Sequence, residues 1–207
     1  MGNIDFNLYL VTDRKETADR DLLWVLRESL EGGVRAIQLR EKDLGGRDLL
    51  SLAGRVKHLC QEYQAELFIN DRVDVAMAVG AHVQLTANSI PTEIVRSMVG
   101  PETKLGVSTH QLAEAQAAAQ SGADFILFGP VYTTPSKVAY GAPQGVDTLE
   151  RIATHVPVPV FGIGGIKAAN VPELLAHGAQ RIGLISAILK APDPRSATRD
   201  ILQALAD

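Results

Sequence analysis

The 207-residue sequence predicts a (β/α)8 barrel of the TIM type, closed within a single domain. Three observations predict it. Short apolar runs alternate with longer segments of helical period, eight of each, with no linker of flexible composition between them. The small-residue pairs Gly32-Gly33, Gly80-Ala81, Gly122-Ala123 and Gly178-Ala179 each precede one of the runs, the mark of an internal βα repeat. The run Phe125 to Phe128 is continuously apolar, which suits a parallel strand covered on both faces. A doubly wound sheet shares the alternation, but the first βα turn, VTDRKETAD, lacks the glycine fingerprint of a dinucleotide fold.

Each element follows from local pattern. Leu8 to Thr12 is the first strand, and Asp21 to Glu31, with Leu22, Leu23, Leu26 and Leu30 on one face, the first helix. Ala36 to Arg40, Leu67 to Asn70, His82 to Leu85 and Lys104 to Val107 are strands two to five. The helices that follow them are Arg47 to Tyr63, Val73 to Val79, Thr92 to Met98 and Leu112 to Gln120. Phe125 to Phe128, Val158 to Ile163 and Ile182 to Ile185 complete the strands. Asp147 to Thr154, Val171 to Ala176 and Ser196 to Leu205 complete the helices.

Composition narrows the function classes. A hydrophobic share of 46% with 21% charged residues supports one large core, and a net charge of -4 without a basic run argues against nucleic acid as a partner. No apolar run approaches the length of a membrane span, and the N-terminus has neither a secretory pattern nor a myristoylation signal, since Phe6 stands at the sixth position. A cytoplasmic protein is the default expectation. The one cysteine, Cys60, reads as a buried small hydrophobe.

In a barrel the chemistry belongs where the strands end, at their shared C-terminal face. That rule selects a polar set: Thr12 and Asp13; Gln38, Arg40, Glu41 and Lys42; Asn70, Asp71 and Arg72; Thr86 and Asn88; Ser108, Thr109 and His110. It also selects the loop Thr133-Thr134-Pro135-Ser136-Lys137, the glycines of GIGGI with Gly164 and Gly165, and Ser186-Ala187. The glycines let backbone N–H groups approach an anion, and loops after strands seven and eight are the usual phosphate site of this fold. Arg40, Lys42 and Lys137 exceed what one monophosphate requires and imply a second anionic group. Gln38 and Arg40 alternate along strand two and so face one side. His110 is the natural acid/base, because a histidine titrates near neutrality. No His/Cys ligand cluster supports zinc, and no G-x-S-x-G elbow supports a hydrolase.

The motifs YLVTD, QLREKD, FINDRVD, LGVSTH, GPVYTTPSK, GIGGI and LISAI, in this order over nearly the whole chain, resemble the thiamin phosphate synthase and TenI superfamily of (β/α)8 barrels that hold a thiazole phosphate. The synthase branch joins a pyrimidine methyl pyrophosphate to the thiazole phosphate with Mg2+. By that resemblance Gln38, Arg40, Lys42, Asn70, Ser108 and Lys137 hold pyrimidine and pyrophosphate. Asp71 binds the metal, and Thr133, Thr134, Gly165 and Ser186 lie near the thiazole phosphate. The synthase's usual H-L-G-Q-x-D-L-P after strand four is here QLTANSIP. Aligned on Pro91, Ser89 stands where the second metal-binding aspartate belongs and Ala87 replaces the glutamine.

That departure is similar to the TenI branch, as is PSKxxYGxPxG over Pro135 to Gly145. TenI proteins are thiazole tautomerases that move a proton on a carboxythiazole phosphate without a metal. The resemblance then implies His110 as acid/base, a rim of cations for the substrate carboxylate, and no cofactor. Expected first is the tautomerase, with the Mg2+-dependent synthase as the alternative and a catalytically silent thiazole phosphate binder as the third reading. A homodimer is compatible with the apolar helix faces.

Overall fold

The computed structural model describes residues 4–134 and 142–206. Eight parallel strands close into a barrel in the order β1-β2-β3-β4-β5-β6-β7-β8, with β8 returning to pair with β1. The strands are β1 Leu8–Val11, β2 Ala36–Leu39, β3 Glu66–Asn70, β4 His82–Leu85, β5 Leu105–Thr109, β6 Phe125–Phe128, β7 Val160–Ile163 and β8 Ile182–Leu184. The helices are α1 Leu22–Gly32, α2 Gly46–Glu62, α3 Val73–Val79, α4 Thr92–Val99, α5 Leu112–Gln120, α6 Val146–His155, α7 Val171–Ala176, α8 Ser186–Leu189 and α9 Pro194–Ala206.

The expected elements are present, with two instructive differences. β5 runs on to Thr109, so Ser108 lies within a strand and not beyond it. Ser186, expected in a small-residue turn, opens the short α8, and the closing helix is therefore the ninth. Four residues of helical pattern are too few to show a period, which is why α8 escapes a sequence reading.

Strand alternation builds two cores. Outward-facing Leu8, Leu10, Ile37, Leu39, Leu67, Ile69, Val83 and Leu85 join the helices in the larger one. Inside the barrel, Tyr9, Phe68, Phe125 and Phe161 meet Phe6, which enters from the chain before β1. Their ring centroids lie 5.2 to 6.0 Å apart, so this aromatic plug closes the N-terminal end. His82 sits at the same end, 5.0 Å from the Phe68 ring, and its Nδ1 accepts a hydrogen bond from the Lys104 main-chain N–H. Cys60 is buried in α2, where burial pushes its thiol up to about 12. No helix among the described residues is long and apolar enough to cross a membrane.

Candidate functional site

Above the aromatic plug, the next inward residues divide the barrel mouth into two halves. On β2 to β5 they are polar: Gln38, Asn70, Gln84 and Ser108. On the remaining strands, or just past them, they are apolar: Val11, Leu127, Ile163 and, directly after β8, Ile185. Because parallel strands place alternate residues on one face, a planar ligand in this mouth meets amides on one side and aliphatic carbons on the other.

The polar half is wired. Gln38 Nε2 donates to Asn70 Oδ1 at 2.9 Å, and both residues are buried. Gln38 Oε1 is left buried without a partner among the described residues. Gln84, fully buried, donates from Nε2 to Ser108 Oγ at 3.1 Å and accepts from the Tyr9 hydroxyl at 3.2 Å. Gly106 makes room for it, since a Cβ there would lie 2.2 Å from Gln84 Oε1.

The charged rim stands over this floor. Arg40 is half-buried, and its main-chain N–H donates to Thr12 Oγ1 at 2.9 Å. The Thr12 hydroxyl donates in turn to Glu41 Oε1 at 2.7 Å, and the Arg14 main-chain N–H donates to Glu41 Oε2. Burial is the largest influence on the Glu41 carboxyl and raises its pKa against these hydrogen bonds. Glu41 therefore ties the ends of β1 and β2 together, with its oxygens already engaged. Lys42 is exposed. Asp71 is exposed in the left-handed region at φ 64, which aspartate tolerates better than most residues, and its main-chain N–H donates to Gln84 O.

At the end of β5, His110 Nδ1 lies 2.5 Å from Gly129 O, while its main-chain N–H donates to Glu114 Oε2. Past β6 the chain lies along the end of β7: Val131 N–H donates to Ile163 O and Tyr132 N–H to Gly164 O. This contact explains two glycines more fully than anion access does. Gly164 and Gly165 have φ of 101 and 67, and a Cβ on either would lie 2.7 Å from Pro130 or from Thr133 O and Tyr132 Cβ. The Tyr132 hydroxyl donates to Glu173 Oε2 and fixes the segment to α7.

Of the expected site residues, Gln38 and Asn70 are thus in direct contact, and Thr133 lies against Gly165. Thr134 is half-buried beside them, and Ser186 and Ala187 begin α8 just past β8, whose Gly183 pairs with Ile163. Lys137 lies outside the described residues. Ser89 folds back on its own turn, where Oγ accepts from Thr86 N–H at 2.8 Å. Among the described residues Asp71 belongs to no cluster of three or more metal-ligating side chains; the one such cluster, Asp147, Glu150 and His177, lies between α6 and α7. Sequence reasoning missed Tyr9 and Gln84. The signal was available for Gln84, which occupies on β4 the alternating position that Gln38 and Asn70 occupy on β2 and β3.

Comparison with known proteins agrees with this architecture. A Geobacter sulfurreducens protein, to which the name thiamine-phosphate synthase is given provisionally, is 50% identical over 206 residues, spanning 99% of this chain and 97% of that one. A Roseiflexus sp. thiamine-phosphate synthase is 40% identical over 96% of this chain and 85% of its own. The solved structure of thiamine phosphate pyrophosphorylase from Pyrococcus furiosus superposes with a TM-score of 0.88 at 36% identity, covering 97% of this chain and 95% of that one. Residues 8–188 match the family described as thiamine monophosphate synthase, and with these relatives along nearly its whole length the chain belongs to that family.

Proposed function

We propose that the protein is a thiamin phosphate synthase, joining a 4-aminopyrimidine methyl pyrophosphate to a thiazole phosphate. The observation that carries this reading is the Gln38–Asn70 pair, whose Gln38 Oε1 is a buried neutral acceptor without a partner among the described residues. A buried acceptor of this kind needs a donor from the ligand. An aminopyrimidine brings one, whereas a carboxythiazole phosphate brings two anions that ask only for donors. The relatives named thiamine-phosphate synthase favour the same branch.

In the reaction the C–O bond to pyrophosphate breaks and the thiazole nitrogen forms a C–N bond to the methylene carbon; no proton changes place. The protein's task is to position two rings and receive the charge of the leaving group. The amides of Gln38 and Asn70 hold the pyrimidine, with the aliphatic half of the mouth against the opposite face. Arg40, Lys42, Ser108 and Lys137 are assigned to the pyrophosphate. Thr133, Thr134, Gly164, Gly165, Ser186 and Ala187 are assigned to the thiazole phosphate.

Mg2+, the metal this family reading implies, fits the donors present in part: Asp71 offers an exposed carboxylate at the end of β3, and substrate oxygens and water would complete its shell. Bound there, it would neutralise charge on the pyrophosphate.

A second reading, the thiazole tautomerase expected first from the sequence, draws support from Ser89, whose hydroxyl caps a turn where the synthase pattern has a carboxylate. Incubation with both synthase substrates, with and without Mg2+, decides between them. Thiamin phosphate formed only with Mg2+ is expected. Its absence, together with isomerisation of the carboxythiazole phosphate, would overturn the proposal in favour of the tautomerase.

A further inference from the structure

We infer that Tyr9 and Gln84 are positioning residues that lock the Ser108 hydroxyl as a hydrogen-bond donor to a phosphate oxygen of the substrate; the choice of phosphate rests on the synthase reading. The orientation of the Gln84 amide is determined by its neighbours. One end of it faces the Leu85 carbonyl at 3.4 Å and the other faces the Tyr9 hydroxyl at 3.2 Å. A carbonyl can only accept, so the atom beside it is Nε2, and the Tyr9 O–H is left to donate to Oε1. Burial keeps the phenol protonated, since its pKa is raised well above the ordinary value by desolvation and by Glu66.

Nε2 therefore points its second hydrogen at Ser108 Oγ, 3.1 Å away. Ser108 receives a hydrogen bond from below, and its own proton has no other acceptor among the described residues that the structure records. A hydroxyl held this way donates into the mouth, toward an acceptor. Ser108 is half-buried at the end of β5, two residues before His110, on the polar half of the barrel. An oxyanion is the ligand that gains most from a directed neutral donor.

The geometry around the relay is built for this one arrangement. Gln84 is fully buried, Tyr9 is wedged among Phe6, Phe68, Phe125 and Phe161, and Gly106 leaves the space that Gln84 Oε1 occupies. Tyr9 and Gln84 are both fully buried, whereas Ser108 is half-buried at the mouth. Each acts through Ser108.

The test is a mutant cycle read by calorimetric binding of inorganic pyrophosphate with Mg2+ present, using Tyr9→Phe, Gln84→Leu, Ser108→Ala and the double variant Gln84→Leu/Ser108→Ala. Ser108→Ala should weaken pyrophosphate roughly tenfold or more, the effect of removing one donor to a charged group. Tyr9→Phe and Gln84→Leu should each reproduce a large part of that loss, with thiazole phosphate affinity within about twofold of wild type. In the Ser108→Ala background, Gln84→Leu should add nothing. Equal losses in both backgrounds, or an unchanged affinity in Tyr9→Phe and Gln84→Leu, would overturn the inference, as would an indifferent Ser108→Ala. Tyr9→Phe keeps the ring and the packing, so it reads the relay even where Gln84→Leu disturbs the fold. Wild-type protein that binds pyrophosphate through this relay yet forms no thiamin phosphate would sink the synthase reading alone.

Discussion

The Nδ1 atom of His110 lies 2.5 Å from the carbonyl oxygen of Gly129, joining the end of β5 to the end of β6. A carbonyl accepts and does not donate, so Nδ1 carries the proton and Nε2 is the basic nitrogen of the neutral ring. His110 is thereby a tie between two loops as well as a candidate base, and the two roles separate experimentally. Under the synthase reading no proton moves, so His110→Asn should keep thiamin phosphate formation within about tenfold of wild type. General acid–base catalysis contributes about a hundredfold or more, and a loss of that size would mark His110 as a proton carrier and favour the tautomerase.

Asp71 supplies the single carboxylate assigned to the metal. Asp71→Asn should raise the Mg2+ concentration needed for half-maximal rate by about tenfold or more, since hard cations depend on carboxylate charge. Ser89→Asp should shift it the other way. An aspartate can cap the Thr86 N–H as Ser89 Oγ does and still offer its second oxygen. Direct Mg2+ titration in the presence of pyrophosphate reads both changes, and a response of Ser89→Asp no different from wild type would place residue 89 too far from the metal.

Gly165 is held at φ 67 against Thr133 O and Tyr132 Cβ. Gly165→Ala should lower stability by about 1 to 3 kcal/mol through backbone strain and the forced retreat of the facing segment. It should also raise the KM for the thiazole phosphate more than that for the pyrimidine. Thermal melts and paired KM measurements check this; equal changes in the two KM values would show that residues 132–133 do not border the thiazole site.

His82 predicts an acid limb of stability. Burial, with Lys104 and Lys57 nearby, depresses its pKa from 6.5 to about 4. The unfolded chain then binds a proton that the fold refuses between these values, so this contribution is complete above pH 6.5 and is lost as pH falls toward 4. The full span is worth about 3 kcal/mol. His82→Asn should flatten the slope of unfolding free energy between pH 6.5 and 4, measured by urea denaturation, and an unchanged slope would assign that limb to other groups.

Much of the placement of the candidate residues was legible in the sequence, because strand ends in a barrel converge whatever their sequence separation. That rule selects Gln38, Asn70, Ser108 and His110 as candidates at the strand ends, and Gln38 and Asn70 prove to be bonded partners. The role of Glu41 was not legible, and the alternating position of Gln84 told which way it faces but not what it bonds. Glu41 reads as one more rim charge, yet its oxygens are engaged by Thr12 and Arg14. Gly164 and Gly165 of GIGGI read as anion access, yet their Cβ positions are closed off by residues 130–133.

By itself the sequence determined the barrel, the order of its strands and the family, since hydrophobic period and motif order are properties of the chain alone. Tertiary structure alone decided which way the polar groups face: that Ser89 caps its own turn, that Gln38 keeps a buried acceptor unpaired among the described residues, and that Tyr9, 75 residues from Gln84, donates to its amide. The physical reason is that a hydrogen bond depends on angle and distance between groups brought together only by closure of the barrel, and no local spacing encodes it.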